Sequence, residues 1–512
     1  MYMKRSHRWI ILSWALVSSL CCCGKSDDGG EEKNTTPAAP TAITLTPASL
    51  DAAAEGGALT VTIKAPARPR ISNLPSWITV TDGTFKDFQI TMTLNIVRND
   101  AYETRSADLT VTASGAADVT LRVTQGAKEA ITDPSLPDNA AVRRQLELGI
   151  GWNMGNQLDA FANGVANETC WGNKAATQAT FDGVKAAGFM SVRIPVTWMG
   201  HIGEAPDYLI EEAWMERVAE VVGYAKTAGL NVILNTHHDE DHNEGHWQNL
   251  KGAVDNEDTN TQVKQEIASV WTQIANRFKD EGDYLMLESF NELIYGGDWS
   301  INGNAEKKCG VINEWNQVFV DAVRATGGNN ATRWLGVPGY AANPGYLKYL
   351  TVPNDPAGKI MVAFHCYDPY DYTIGDKQLA NWGHSGNAYP RGEEEIKELF
   401  NGLYKTYVAN NIPIYMGEFG CSFRSKSDAT RWNFFLYYLE YVTKAARVFG
   451  IPAFLWDNGA EGSGKERHGY INHGTGAYMG SSKEAVEVIV KAWTSTDASY
   501  TLQSVYDSAP SL

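Results

Sequence analysis

The sequence predicts an α/β protein, a (β/α)8 TIM barrel preceded by a small all-β immunoglobulin-like sandwich. Three observations carry that expectation. Between residues 42 and 127 short Thr-rich runs alternate with period two, the pattern of a half-buried sheet. Beyond residue 139 eight apolar runs alternate with amphipathic stretches, the grammar of parallel strands and covering helices. Two of those runs, Tyr284-Leu-Met-Leu-Glu-Ser-Phe-Asn-Glu292 and Pro413-Ile-Tyr-Met-Gly-Glu418, stop at a glutamate. The C-terminal lip of a barrel strand is where this architecture places catalysis, and two carboxylates are the minimal equipment for cleaving a glycosidic bond. Either glutamate alone reads more simply as a surface residue after an ordinary strand.

Taken in order, residues 1–23 read as an export signal. Lys4, Arg5 and Arg8 precede an apolar run from Trp9 to Leu20 that is too short to span a bilayer. Cys21-Cys22-Cys23 follows, then Gly24 and the acidic pair Asp27-Asp28. This resembles a bacterial lipoprotein cleavage site, with Leu20 three residues before Cys23 and an acidic surface-export signal of the Bacteroidetes kind. Cys23 is the expected acylated residue, although Cys22 fills a place usually held by a small residue and leaves Cys21 as the alternative. The expected location is the cell surface, as an outer-membrane lipoprotein held to the membrane by its N-terminus. Residues 24–41 are a polar Gly, Glu, Thr and Pro tether.

The strands expected in the sandwich, residues 42–127, begin at Ile43, Leu59, Ile90, Leu109 and Val119, separated by Gly, Asp, Asn and Pro turns, and the pattern implies antiparallel pairing. Ser76-Trp77-Ile78, Arg105 and Val123-Thr124-Gln125 resemble the BACON module of carbohydrate-active proteins. Only one aromatic pair, Trp77 and Phe85, stands out, so a spacer is favoured over a sugar-binding module. Residues 128–138, with two prolines, read as a second linker.

In the barrel, residues 139–512, strands are expected at 148–152, 189–194, 230–236, 284–289, 333–337, 360–366, 412–417 and 451–456. The stretch from Trp214 to Ala225 is a representative amphipathic helix between them. A doubly wound open sheet is the competing topology, and the count of eight favours the barrel. Polar or aromatic residues follow six of the strands: Arg193, His237 with His238, Asn291 with Glu292, His365 with Tyr367, Glu418, and Trp456. In a barrel all of them converge on one face.

Composition narrows the function classes. A 512-residue chain with 43% apolar residues is long enough for two domains. A net charge of -17 with no basic stripe argues against a nucleic-acid partner. Sixteen Trp and 23 Tyr suit stacking on flat uncharged ligands such as sugar rings. Cys170, Cys309, Cys366 and Cys421 have no zinc or disulfide spacing and read as buried small hydrophobes. His237, His238, His242 and His246 fall in one acidic stretch, but the H-E-x-x-H order is absent and no metal or other cofactor is expected.

Gly151-Trp-Asn-Met-Gly-Asn-Gln-Leu-Asp159, Glu168-Thr-Cys-Trp171 and Val192-Arg-Ile-Pro-Val-Thr-Trp198, with the strand-end residues, resemble glycoside hydrolase family 5, in its endoglucanase and xyloglucanase subgroup. The resemblance implies a retaining endo-β-1,4-glucanase whose acid/base and nucleophile follow strands four and seven, Glu292 and Glu418. Arg193 and Tyr367 would hold Glu418 ionised and oriented, and Asn291 would bind the sugar 2-hydroxyl. His237, His238 and His365 would complete a polar wall. Trp456 would be the stacking floor, with Trp171 or Trp247 further along. The implied partner is a β-glucan, with xyloglucan a serious candidate, and the protein is expected to be a monomer. A β-mannanase and a non-hydrolytic glycan-binding lipoprotein are the alternatives.

Overall fold

The structure, a computed structural model, describes residues 38–240 and 246–512. The residues read as an export signal, Cys23 among them, most of those read as a tether, and His242 lie outside the described residues. Two compact units are present, dividing between Ala130 and Ile131.

The first unit is a two-sheet sandwich of β1 (Thr44–Thr46), β2 (Ser49–Ala52), β3 (Gly57–Lys64), β4 (Arg70–Ser72), β5 (Ile78–Thr81), β6 (Gln89–Ile96), β7 (Arg105–Thr112) and β8 (Val119–Gln125). One sheet runs β1-β3-β6-β5 and the other β2-β8-β7-β4. The core is built by alternation: in β6, Ile90, Met92, Leu94 and Ile96 point inward while Gln89, Thr91 and Asn95 face solvent. They meet Val61, Ile63, Leu109, Val111, Leu121 and Val123 from the other strands. Three strands had no clear sequence signal: β2, β4 and β5 hold only three or four residues each, too few for alternation to register. The expectation of purely antiparallel pairing is also corrected, because β2 runs parallel to β8. Trp77 and Phe85 pack against the core, with the Arg105 guanidinium 4.6 Å above the Trp77 ring.

The second unit is a closed barrel of eight parallel strands. They are β9 (Ile150–Met154), then after a small hairpin of β10 (Phe161–Ala162) and β11 (Val165–Ala166), β12 (Ser191–Ile194), β13 (Asn231–Asn235), β14 (Leu285–Glu288), β15 (Leu335–Pro338), β16 (Ile360–Cys366), β17 (Ile414–Phe419) and β18 (Ala453–Asp457). Every expected strand is present within a few residues of its predicted place. The strands read as continuous apolar runs because both faces are covered, by the barrel interior and by the outer helices. Helix Glu212–Thr227, for example, buries Trp214, Met215, Val218, Val221, Val222 and Ala225 on one stripe. The lower interior is filled by Leu148, Ile233, Met286, Met361, Ala363, Tyr415 and Phe454.

The stretch read as a linker over 128–138 is not free along its length. Ile131 and Leu136 pack against the barrel core, and the Tyr404 hydroxyl donates to the Ser135 carbonyl at 3.0 Å. Of the four cysteines, Cys309, Cys366 and Cys421 are buried, but Cys170 is exposed, correcting its assignment to the core.

Candidate active site

The upper barrel is organised around Arg193, at the C-terminal end of β12 and fully buried. Its guanidinium fork meets two carboxylates. Nε and Nη2 donate to Glu288, the closest contact being 2.7 Å, and Nη1 donates to Glu418 Oε1 at 2.8 Å. Nη1 and Nη2 also reach the amide oxygens of Asn153 at 3.1 Å and Asn291 at 2.9 Å. Five N–H donors in one plane match this ring of acceptors in a way a lysine ammonium cannot.

Glu288 is the residue of this buried network that sequence reasoning missed. It closes β14, four positions before Glu292, and besides Arg193 it accepts from the Tyr415 hydroxyl at 2.5 Å and the Asn235 amide at 2.9 Å. Burial alone would raise its carboxyl; Arg193 and Tyr415 instead hold it below the usual carboxylate range. The available signal was a glutamate inside a run otherwise buried and apolar, which needs a cationic partner to exist there.

Glu418 lies on β17 beside a register shift between Phe364 and His365 of β16. Such an irregularity re-aims a side chain, and it places Glu418 toward the barrel mouth. Gly417 beside it leaves room for the imidazole, since a Cβ there would sit a tight 3.1 Å from His365 Nε2. The Tyr367 hydroxyl donates to Glu418 Oε2 at 2.9 Å. Burial pushes the Glu418 carboxyl up; Arg193 and Tyr367 oppose that, as does His365 only when it carries a proton, while Glu292 adds to it. Arg193 therefore offsets the cost of burial rather than depressing Glu418 freely, because Glu288 takes the larger share of its charge. The expectation that Arg193 keeps Glu418 ionised did not include this second carboxylate.

Glu292 stands on the loop after β14, half-buried, with Oε1 at 2.6 Å from His365 Nδ1. Burial lowers His365 to about 4, so at neutral pH its imidazole is uncharged. The bond can form in both states of Glu292: the protonated carboxyl donates to Nδ1, and the carboxylate accepts from the Nδ1–H tautomer. One oxygen of Glu292, one of Glu418 and a His365 nitrogen all lie within 4.8 Å of one another. That closeness fits the ~5–5.5 Å separation of a retaining carboxyl pair rather than the ~6.5–9.5 Å of an inverting one.

The remaining expected residues surround this pair. Asn235 Nδ2 lies 3.2 Å from His237 Nδ1, and because it is a donor, Nδ1 accepts and Nε2 carries the proton. Burial and the neighbouring cationic groups keep His237 neutral. Trp456 is half-buried and parallel to the His237 ring, with centroids 5.9 Å apart. Burial presses His238 down, but Glu240 and Asp159, each at 3.6 Å, more than offset it and lift it to about 9. Asp159, His237 and His238 each turn one ligand atom to within 4.8 Å of the others, and in this arrangement His238 sits between the Asp159 and Glu240 carboxylates. Trp171 is exposed and tilts toward His238 at 5.6 Å. Trp247 is buried against the core, so the expectation that it could stack on substrate is withdrawn.

On the Glu292 side the mouth opens into a cleft of about 590 Å³, in the range of small-ligand sites, lined among others by His365, Tyr367, Trp299, Tyr370 and Glu466. Trp299, Tyr370 and Glu466 were not singled out in the sequence; they lie on loops, where no periodicity marks a residue as facing a site.

A parallel barrel with two carboxylates at its mouth, a buried arginine behind one and an imidazole against the other, defines a glycosidase of the retaining kind. The sequence matches the family described as cellulase, glycosyl hydrolase family 5, over residues 157–462, and the BACON family, described as a putative N-terminal binding domain, over 70–126. The chain is 38% identical over 345 residues to endoglucanase A of Ruminococcus albus, covering 66% of this chain and 89% of that protein. It is 33% identical over 438 residues to a xyloglucan-specific endo-β-1,4-glucanase of Bacteroides ovatus, covering 80% and 85%. A solved family 5 cellulase affiliated with the Bacteroidetes and linked with a polysaccharide utilization locus superposes with a TM-score of 0.70 at 47% identity, covering 73% of this chain and 98% of that one. The chain belongs to glycoside hydrolase family 5, with a BACON module ahead of its barrel.

Proposed function

We propose that the protein hydrolyses β-1,4-glucan backbones at internal bonds with retention, xyloglucan included, and that Glu418 is the nucleophile and Glu292 the acid/base. The observation that carries the assignment is the asymmetry of the two carboxylates. Glu418 is met by a fixed cation and a phenol donor, both of which favour its ionised form. Glu292 is met by a neutral imidazole, which tolerates the protonated carboxyl.

In the first step Glu418 attacks the anomeric carbon while Glu292 gives its proton to the leaving glycosidic oxygen, forming a glycosyl ester and a shortened chain. In the second, Glu292 takes a proton from water, and the resulting oxygen nucleophile displaces Glu418. Asn291, fixed by Arg193 through its amide oxygen, has its NH2 left to meet the sugar 2-hydroxyl. His237 offers Nε2–H to another hydroxyl, and Trp456 a ring face to the sugar plane.

The similarity to glucanases of both cellulose-active and xyloglucan-specific description supports a glucan rather than a mannan. Product analysis on xyloglucan, hydroxyethylcellulose, barley glucan and mannan tests this. Oligosaccharides from the three glucans are expected, and cleavage of mannan alone would overturn it. The lipid anchor at Cys23 and the surface location belong to the same proposal, motivated by the basic, apolar and cysteine order of residues 1–23. Cys23→Ala should move the protein from the membrane to the soluble fraction, and no shift would reject that cysteine as the anchor.

A further inference from the structure

The cleft beside Glu292 holds a third carboxylate that the reaction as derived does not use. Glu466, exposed on the loop after β18, lines it together with Trp299 and Tyr370. Its backbone is in the left-handed region, with φ of 54°, a conformation that costs a glutamate energy and persists only where surroundings impose it. Those surroundings are explicit. Asn458 Nδ2 donates to the Glu466 carbonyl at 3.0 Å, while Asn458 Oδ1 accepts from the backbone N–H of Ala460 at 3.0 Å and of His468 at 3.2 Å. Asp457 ties down the next turn through the N–H groups of Tyr470 and Ile471. The loop is thus clamped from both sides around one strained residue, whose side chain reaches the cleft.

The charge balance of the cleft is one-sided. Glu292, Asp368 and Glu466 line it, and no lysine or arginine does among the described residues. The nearest cation is the adjacent Lys465, which does not line the cleft; its Nζ pairs with Asp376 at 2.5 Å and its charge offsets that of Glu466 only in part. Tyr367, between the catalytic pair and the rim, feels Glu418, Glu292 and Glu466 together, and they add to burial in keeping its phenol protonated. Glu292, read as the acid that protonates the leaving oxygen, lines this space, which puts the cleft on the leaving-unit side.

We propose that Glu466 makes the leaving-unit side of the cleft selective for uncharged glucan, accepting hydrogen bonds from sugar hydroxyls and repelling units that carry acidic substituents. This rests on the reading of Glu292 as the acid that protonates the leaving oxygen. A carboxylate serves hydroxyl donors well, since a bond to a charged acceptor is stronger than one to a neutral amide. The same charge disfavours a uronic or carboxymethyl group a few ångströms away, weakly because the rim is wet and more so at low ionic strength.

The test compares kcat/KM of the full chain on hydroxyethylcellulose and carboxymethylcellulose, for the unaltered protein, Glu466→Gln and Glu466→Asp. Glu466→Gln should raise the carboxymethyl-to-hydroxyethyl ratio about threefold at low salt, and the gain should vanish near ~0.5 M salt. Glu466→Asp, which keeps the charge, should hold the original ratio. A ratio that stays fixed while both rates fall would assign Glu466 a structural part only, and a gain indifferent to salt would reject the electrostatic account; either overturns the proposal. An aryl cellobioside separates this from failure of the underlying reading. If the unaltered protein releases aryl alcohol from it, the hydrolytic assignment stands whatever Glu466 does. Inactivity there and on both celluloses would remove both.

Discussion

The two units bury polar groups in opposite ways. In the sandwich the inner faces are apolar, and its buried polar side chains sit at one end, tying loops. Gln125 donates to the carbonyls of Ala53, Ala54 and Val97, and Asn99 to those of Glu103 and Gly126. Each satisfies backbone that would otherwise be orphaned, and none carries an uncompensated charge. In the barrel, Arg193, Glu288, Asn235, Asn153 and Glu418 occupy the upper interior above a wholly different layer of Met286, Met361, Ala363 and Phe454. Apolar residues would fill that space at least as stably, since buried ion pairs are weak evidence for stability. The sandwich core is packed without buried ion pairs among its named polar groups. The barrel mouth gives up that simplicity to hold two carboxylates in unlike surroundings.

The largest break in this comparison should come from Glu418. Glu418→Ala is expected to lower kcat on every substrate, by about 10⁵-fold on the scale of nucleophile removals elsewhere, because no other group can form the glycosyl ester. Glu292→Ala should behave differently. Aryl glycosides with acidic leaving groups need no proton, so they should still give a burst, and azide should rescue turnover as a glycosyl azide. Equal loss on activated and natural substrates, without burst or rescue, would contradict the split roles.

Next comes Glu288, which touches no substrate. Glu288→Gln leaves Arg193 short of one buried counter-charge and should cost ~3–5 kcal/mol, read as a large fall in Tm. A fall within the usual scatter of surface substitutions would mean that the upper layer is not held together by this pair. Smaller still is Tyr367→Phe. Losing a hydrogen bond to a charged group, worth ~1.5–3 kcal/mol, should lower kcat about 10–100-fold. The sign in pH follows from what the phenol stabilises. Its O–H favours ionised Glu418, so its loss raises that carboxyl further, and the acid limb of kcat/KM should move to higher pH. An unmoved acid limb would assign that limb to another group.

How far the sequence foretold these contrasts depends on periodicity. The barrel strands were legible because a parallel strand is an uninterrupted apolar run, and residues at its end converge whatever the loops do. Arg193, Glu292, His365, Tyr367 and Glu418 were found this way. Glu288 was not, because a strand's interior was read as core; its partners Arg193 and Tyr415 are distant in sequence and only the closed barrel joins them. Trp247 was misjudged since an aromatic on a loop gives no sign of which way it faces, and Glu466 was passed over for the same reason. In the sandwich, β6 with its full alternation was plain, whereas β4 and β5 were too short to show any.

The smallest expected effect concerns the sandwich itself. If its core serves folding only, removing it should leave the chemistry where it was. The cut belongs at Ile131 rather than after the whole linker, because Ile131 and Leu136 pack on the barrel and Tyr404 holds Ser135. A chain beginning at Ile131 retains those contacts and its own apolar core, which is the condition for folding alone. Its kcat/KM on soluble xyloglucan or barley glucan should stay within about twofold of the full chain, well short of the tenfold that ~1.4 kcal/mol of lost binding would produce. Within the sandwich Trp77 is half-buried beneath Arg105 and Phe85 packs on the core, which leaves Tyr102, with Lys128 over its ring, as the strongly exposed aromatic among the described residues. Affinity electrophoresis of the full chain and the shortened one through gels containing xyloglucan is the direct comparison, using protein inactivated by Glu418→Ala. Equal retardation fits a spacer, whereas stronger retardation of the full chain would make the sandwich a binding module and erase the contrast between a unit built to fold and a unit built to act.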